Sequence, residues 1–205
     1  MTASEPAPTA GRRTRLTIRA VLVVANVALV GVFIHHTLAS SYTPVGSSSD
    51  TSHRALDEAD GAVPEGVTVF DDVPAVANLE PELLAALRKA AMDAADDGVE
   101  FFVNSGWRTP AYQEQLLRAA VSKYGSEEEA ARWVATPETS PHVLGQAIDI
   151  GRSDATAWLS KHGARYGLCQ IYDNEPWHYE LRPDAVDHGC PPRYADPTHD
   201  PRMQR

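Results

Sequence analysis

Basic charge is scarce in this chain once its first residues are passed. Lysine and arginine number 18 against 28 aspartates and glutamates, a formal net charge of −10. Residues 1–19 hold four arginines against Glu5, a formal +3, which leaves −13 on everything after them. No basic stripe remains to meet phosphates, and this argues against nucleic acid as a partner. The acidic balance speaks to solubility and says little about substrate. Cysteine is scarce too, with only Cys169 and Cys190. From Ala39 to Ser52 there is no apolar period at all. That stretch is rich in Ser, Thr and Gly and reads as a flexible tether. At 205 residues the chain has room for one domain plus appendages.

What the chain does have at its start is a long apolar run. Residues 1–15 are rich in Pro, Ala and Thr, carry Arg12, Arg13 and Arg15, and read as a basic tail. Ala20 to Ile34 is uncharged and apolar except for Asn26, and with Leu16 to Arg19 it reaches about the length of a bilayer core. The segment 16–38 is therefore expected to be a transmembrane signal anchor. Arginines precede it and no basic residue follows closely, which places the N-terminus in the cytoplasm and the rest outside. A cleaved signal peptide is the competing reading, but the apolar region is long for one and Thr37-Leu38-Ala39 is a mediocre cleavage site. The tether is expected over 39–66, a catalytic domain over 67–195 and a loose polar tail over 196–205.

The chemistry concentrates in Ser140-Pro141-His142-Val143-Leu144-Gly145-Gln146-Ala147-Ile148-Asp149, answered downstream by Glu175-Pro176-Trp177-His178. Two neutral imidazoles and a carboxylate fill three positions of a tetrahedral zinc site and leave a fourth for water. A further carboxylate, three residues before the second histidine, is placed to take a proton from that water. The alternation from Gln146 to Ile150 puts Ala147 and Asp149 on one face of a short strand and Ile148 and Ile150 on the other. Trp177 to Leu181 alternates in the same way, with His178 and Glu180 sharing a face. Gly145 lies between the two ligands, where a tight turn brings His142 and Asp149 towards one point.

The pattern S-x-H-x-x-G-x-A-x-D followed by E-x-W-H resembles the zinc D-alanyl-D-alanine carboxypeptidases of the VanY type, relatives of the VanX dipeptidases. Ser105-Gly106-Trp107-Arg108 is similar to that family's S-G-[YW]-R segment, so the resemblance runs from about Val69 to Pro192. It implies one Zn²⁺ on His142, Asp149 and His178, with Glu175 as the base. It also implies Arg108 as the oxyanion partner, a role suited to an always-charged guanidinium with several donors. Ser140 and Gln113 would contact substrate. The implied substrate is a peptidoglycan stem peptide losing its terminal D-alanine outside a bacterial cell membrane. An L,D-carboxypeptidase or wall endopeptidase would use the same machinery. A non-catalytic wall-binding module, or a tethered wall protein whose zinc only holds the fold, is the reading from another class. One departure is Pro137-Glu138, where many relatives have Pro-Gly; it bears on the loop before His142.

The remaining signals frame an α+β domain, with helices packed around a small antiparallel sheet that carries the site. A helix is expected from Pro81 to about Asp96, with Leu83, Leu84, Leu87, Ala91 and Ala94 inward and Gly98 as its stop. A strand comes next, over Val99 to Asn104. Thr109-Pro110 opens a second helix to about Lys123, with Tyr112, Leu116, Leu117 and Val121 as buried positions. Ser126-Glu127-Glu128-Glu129 reads as a capping box, which makes its acidic run a helix start and not a cation site. A further helix begins at Ser153, turns Trp158 and Leu159 inward and ends at Gly163, with His162 structural in its last turn. His35, His36, His53, His188 and His199 lack the motif context of His142 and His178. Cys169 and Cys190 bracket the second half of the motif, and an even count outside the cell points to a disulfide. Their alternative use as metal ligands is not needed, because the two histidines and the aspartate suffice.

Overall fold

The computed structural model describes residues 56–204. The basic tail, the anchor over 16–38 and most of the tether lie outside the described residues. Among the described ones, no helix is long and apolar enough to cross a membrane.

The sheet has four strands: β1 (Phe102–Ser105), β2 (Ala147–Gly151), β3 (Leu168–Gln170) and β4 (His178–Leu181). Their order is β1-β2-β4-β3 and every pair is antiparallel. Among the described residues six α-helices accompany them: α1 (Pro74–Ala77), α2 (Pro81–Asp96), α3 (Pro110–Tyr124), α4 (Glu127–Ala131), α5 (Ser153–His162) and α6 (Ala185–His188). The expected α+β class is the observed one. The first expected strand is shorter and lies later, because Val99 to Phe101 pack without ladder pairing and only Phe102 to Ser105 join β2.

The two faces of the sheet have different tasks. On one, Ile148 and Ile150 of β2, Tyr179 of β4 and Leu168 of β3 pack against Leu83, Leu87, Ala90, Ala91 and Ala94 of α2 and against Trp158 and Leu159 of α5. This is the apolar core, and it results from period-2 strands meeting period-3.6 helices. On the other face the cross-strand partners are Asp149 with His178 and Ala147 with Glu180. Polar side chains are gathered there by the same alternation. The register of β1 on β2 shifts between Val103 and Ser105, directly before the Ser105-Gly106-Trp107-Arg108 segment. An irregularity of this kind bends a strand and re-aims the residues beyond it.

Three expectations need correction. The domain begins before residue 67: Asp57 caps a single 3-10 turn over Glu58–Asp60, and the Asp60 carbonyl accepts from the Thr109 N–H at 2.9 Å. Its acidic residues are local capping groups, which composition alone makes look like linker. The tail is not loose. Pro197–His199 and Pro201–Gln204 form 3-10 turns, Asp196 and Asp200 are buried, and Arg132 donates to Asp196 at 3.0 Å. Its polar residues are ion-pair partners for groups inside the domain. In α3 the buried residues are Gln113 and Ala120, whereas Tyr112, Leu116, Leu117 and Val121 are only half-buried, because that helix borders cavities.

Thr109 is the observed N-cap of α3, accepting from the Tyr112 N–H at 3.2 Å, and Ser126 caps α4 from Glu129 at 3.1 Å. α5 ends with His162 against Trp158, ring centroids 4.7 Å apart, in the structural role expected of it. Cys169 and Cys190 are joined, with their Cα atoms 5.6 Å apart.

Candidate metal centre and cavity

His142, Asp149 and His178 arrive from three directions. Asp149 is the middle residue of β2 and His178 opens β4 directly across from it. His142 comes from the turn before β2, which closes through Gly145 at φ 72°. The Gly145 carbonyl accepts from the Glu80 N–H at 2.8 Å, pinning the turn to the start of α2. One ligand atom from each of the three residues lies within 4.8 Å of the others.

The hydrogen bonds around the imidazoles settle which nitrogen faces inward. His142 Nδ1 donates to the Gly106 carbonyl at 2.9 Å, leaving Nε2 towards Asp149 Oδ1 at 3.5 Å. His178 is arranged the other way round: Nε2 lies 3.2 Å from Glu180 Oε1, and Nδ1 lies 3.2 Å from Asp149 Oδ1. Each imidazole thus has an outer acceptor on one nitrogen and turns the other towards the centre, the usual arrangement of metal-ligating histidines. Burial first, and then the Arg108 charge, push His142 down to about 4, so it is neutral near pH 7. Burial would lower His178 as well, but hydrogen bonds to Asp149 and Glu180 outweigh it and hold the imidazole up to about 10. Asp149 and Glu180 go the opposite way. Burial opposes their ionisation, yet the histidines, and for Glu180 Arg202 as well, keep both below the usual carboxylate range.

Beside the triad lies a cavity of about 270 Å³ lined by Arg108, Gln113, Ser140, Glu175, Tyr172 and Trp177 among others. Glu175 Oε2 is 4.0 Å from His178 Nδ1. Burial raises Glu175 and outweighs its neighbouring charges, among which His178 and Arg108 draw it down against Asp149 and Asp196, so its carboxyl is pushed up to about 7. Arg108 sits at the β1-to-α3 junction, and burial lowers its guanidinium against the opposing pull of Asp149, Tyr112 and Glu175. Gln113 is buried on the first turn of α3 and donates to the Ala135 carbonyl at 2.7 Å. Four buried polar atoms in this lining have no protein partner: Arg108 Nε, Gln113 Oε1, Ser140 Oγ and Glu175 Oε1. Buried polar atoms are ordinarily paired, so four unpaired ones on one cavity mark the place of a polar ligand.

All seven residues singled out for metal, catalysis and substrate line this one cavity. The Pro137-Glu138 departure does not disturb it. The turn closes on the Thr136 carbonyl through Thr139 at 3.2 Å and Ser140 at 2.9 Å, with Glu138 exposed. Glu180, Tyr172, Pro197 and Met203 also border the site or hold its residues, outside the motif that announces it. Alternation along β4 was the available signal for Glu180; the others reach the site through long-range packing.

The family model for VanY, D-alanyl-D-alanine carboxypeptidase, matches residues 76–184. This chain belongs to the VanY family. A D-alanyl-D-alanine carboxypeptidase of Enterococcus faecalis (strain ATCC 700802 / V583) is 33% identical, over 42% of this chain and 41% of the relative. The match therefore spans less than half of that relative's length. Among solved structures, VanYB in complex with D-alanine-D-alanine is 27% identical with a TM-score of 0.50, covering 54% of this chain and 74% of that one. A variant of the vancomycin-resistance D,D-pentapeptidase VanY from a VanB-type cassette, in complex with Zn(II), is 29% identical over 50% and 72% of the two chains, with a TM-score of 0.47. The VanY match covers the whole motif, from Ser105 to His178.

Proposed function

We propose that this protein is a zinc-dependent D-alanyl-D-alanine carboxypeptidase that removes the terminal D-alanine from peptidoglycan stem peptides. The observation that carries the reading is the meeting of the His142, Asp149 and His178 donors with Glu175 and Arg108 on one cavity whose buried polar atoms lack protein partners. The donor set fits zinc: two imidazoles and a carboxylate, each imidazole oriented by an outer acceptor, with the proton that Asp149 holds on His178 Nδ1 to be displaced by a bound cation. When bound there, zinc supplies Lewis acidity to the attacking water and to the scissile carbonyl.

The chain's own residues do the rest. Glu175 takes one proton from the attacking water through a carboxylate oxygen and delivers it to the nitrogen of the departing D-alanine. Attack makes the C–O bond and collapse breaks the C–N bond, so the carboxylate ends as it began. Arg108 offers its guanidinium to the oxygen on which negative charge develops, a role suited to a fixed charge shielded from water. Gln113 and Ser140 present the unpaired Oε1 and Oγ to the peptide, fixing its register. Trp177 closes the rim. The VanYB complex, similar in fold, contains D-alanine-D-alanine, which supports the same dipeptide end as substrate here.

The reading includes a place of action. With 16–38 as an anchor, the domain faces the cell wall, and the Cys169–Cys190 bridge suits an oxidising compartment. The test is release of free D-alanine by the full chain from a pentapeptide ending in D-Ala-D-Ala. Release is expected, abolished by a chelator and restored by zinc, and lost in Glu175→Ala with zinc still bound. Cleavage only of a tetrapeptide ending in a single D-alanine would replace this reading with an L,D-carboxypeptidase. Zinc binding without cleavage of either would leave a binding module.

A further inference from the structure

The family match ends at residue 184, yet the chain continues into a segment that returns to the back of the metal centre. Arg202 lies on this segment. Its Nη1 donates to Glu180 Oε2 at 2.7 Å and its Nη2 to Glu180 Oε1 at 3.1 Å, a bidentate grip on a carboxylate that is 1% exposed. Glu180 in turn holds His178 Nε2 at 3.2 Å. Arg202 is itself held from behind: its Nε lies 3.1 and 3.0 Å from the two oxygens of Asp200, a fully buried carboxylate. Asp200 also accepts from the Tyr172 hydroxyl at 3.0 Å, and the Tyr172 ring lies 5.1 Å from the His178 ring. The circuit therefore closes on the imidazole from two sides, through Glu180 on its Nε2 and through Tyr172 on its face.

We propose that Arg202 is a positioning residue for His178: by gripping Glu180 with both guanidinium arms it fixes the imidazole's orientation and tautomer, so that Nδ1 faces the metal centre. The inference rests on the zinc reading of the site and adds to it a part of the chain outside the family match. The physical reasons are three. A free carboxylate two residues from His178 on a strand can rotate about its last torsion, and a two-point grip removes that freedom. An ionised Glu180 can only accept, so it demands the proton on Nε2 and leaves Nδ1 as the nitrogen that can face a metal. Outer partners of this kind typically change metal affinity by about 10–100-fold. Arg182 also reaches Glu180 Oε2, at 2.7 Å, but with Nη2 alone, because its Nη1 is given to the Leu181 carbonyl at 2.9 Å. It cannot supply the second contact.

The test uses the full chain and measures metal affinity alongside folding. Zinc affinity is taken by competition with a chromophoric chelator, the Co²⁺-substituted visible spectrum reports ligand geometry, and thermal melting of the metal-free protein reports stability. Arg202→Met is expected to weaken zinc binding about 10-fold and to shift the cobalt bands, with Arg202→Lys in between. In a Glu180→Gln background, Arg202→Met is expected to add little, because the two residues act through one contact. Wild-type affinity and an unchanged cobalt spectrum in Arg202→Met, with only the melting temperature lowered, would overturn the proposal and leave Arg202 a structural clamp. Equal losses from Arg202→Met in both backgrounds would overturn it as well. If Arg202→Met does not fold, Arg202→Lys decides by the same two readouts in both backgrounds. Failure of the wild type to bind zinc would instead overturn the reading of the site itself, so the two failures are distinguishable.

Discussion

At the scale of single residues, Glu175 carries the sharpest prediction. It is buried beside the triad with one oxygen lacking any protein partner, and burial is the largest cause of its raised pKa. Glu175→Gln keeps the volume and one acceptor but cannot take a proton. Turnover is expected to fall about 10²–10⁴-fold with zinc content unchanged. The base works only when deprotonated, so kcat/KM rises with pH and levels off above its pKa. Near a divalent cation that pKa is drawn down, which puts the acidic limb between the ordinary glutamate value of about 4.3 and the value of about 7 set by burial. A pH–rate profile checks this, and a limb persisting unchanged in Glu175→Gln assigns it to another group. His142, Asp149, His178, Glu175 and Arg108 were legible in the sequence because each sits in a short local motif whose residue types have few other uses. Glu180 was half-legible. Alternation places it on the His178 face, but its partner Arg202 is 22 residues away, and no local period announces it.

At the scale of elements, the turn before β2 decides whether the ligands meet. Gly145 has φ 72°, and a Cβ there would lie 2.5 Å from the Asn78 carbonyl oxygen. Gly145→Ala is expected to cost about 1–2 kcal/mol for the left-handed backbone alone and more for the collision, measured as a shift in urea midpoint. Gly98 is the control. Its φ is 74° with nothing within 4 Å, so Gly98→Ala meets the backbone cost without the collision and is expected to leave zinc affinity intact. A Gly145→Ala protein that binds zinc like the control would show that the turn does not set the site. The caps of α3 and α4 and the limits of α2 were readable because Thr109, Ser126 and Pro81 act on their immediate neighbours. What α3 faces was not readable. Its apolar stripe exists, but Leu116 borders the site cavity, and Leu117 and Val121 border a second hollow of about 520 Å³ against α4 and the last turns of the chain. Periodicity reports that a face is apolar, not what covers it.

At the scale of the whole molecule, the α+β class was legible and the strand order was not. The order β1-β2-β4-β3 depends on pairings between segments far apart in sequence, which alternation within a strand cannot choose. Two ties close the far side of the sheet. The first is the Cys169–Cys190 bridge, which spans 21 residues including Glu175 and His178. Its reduction is expected to cost about 3 kcal/mol on the chain-entropy scale, read as a lower urea midpoint under a reductant. The second is the docked segment over 196–204, tied to the domain by Arg202 on Glu180 and by two carboxylates of its own, Asp196 and Asp200. Burial alone would raise Asp196, but hydrogen bonds from Thr198, His199 and Arg132 outweigh it and hold it down to about 2. Asp200 is likewise lowered: its contacts with Arg202 and Tyr172 overcome burial. A carboxylate depressed in the folded state contributes stability in full above its unfolded pKa, about 3.9 for aspartate, and loses it as pH falls through the folded value. The docked segment is therefore expected to hold at neutral pH and to loosen as pH falls from about 4 to about 2, with the Arg202–Glu180 pair the last tie to go. Hydrogen exchange followed by mass spectrometry checks this peptide by peptide. Protection over 196–204 should fall in that window, while α2 and β2, whose burial is apolar, retain theirs. Free exchange of the segment at pH 7, or full protection below pH 2, would mean that these ion pairs do not hold it.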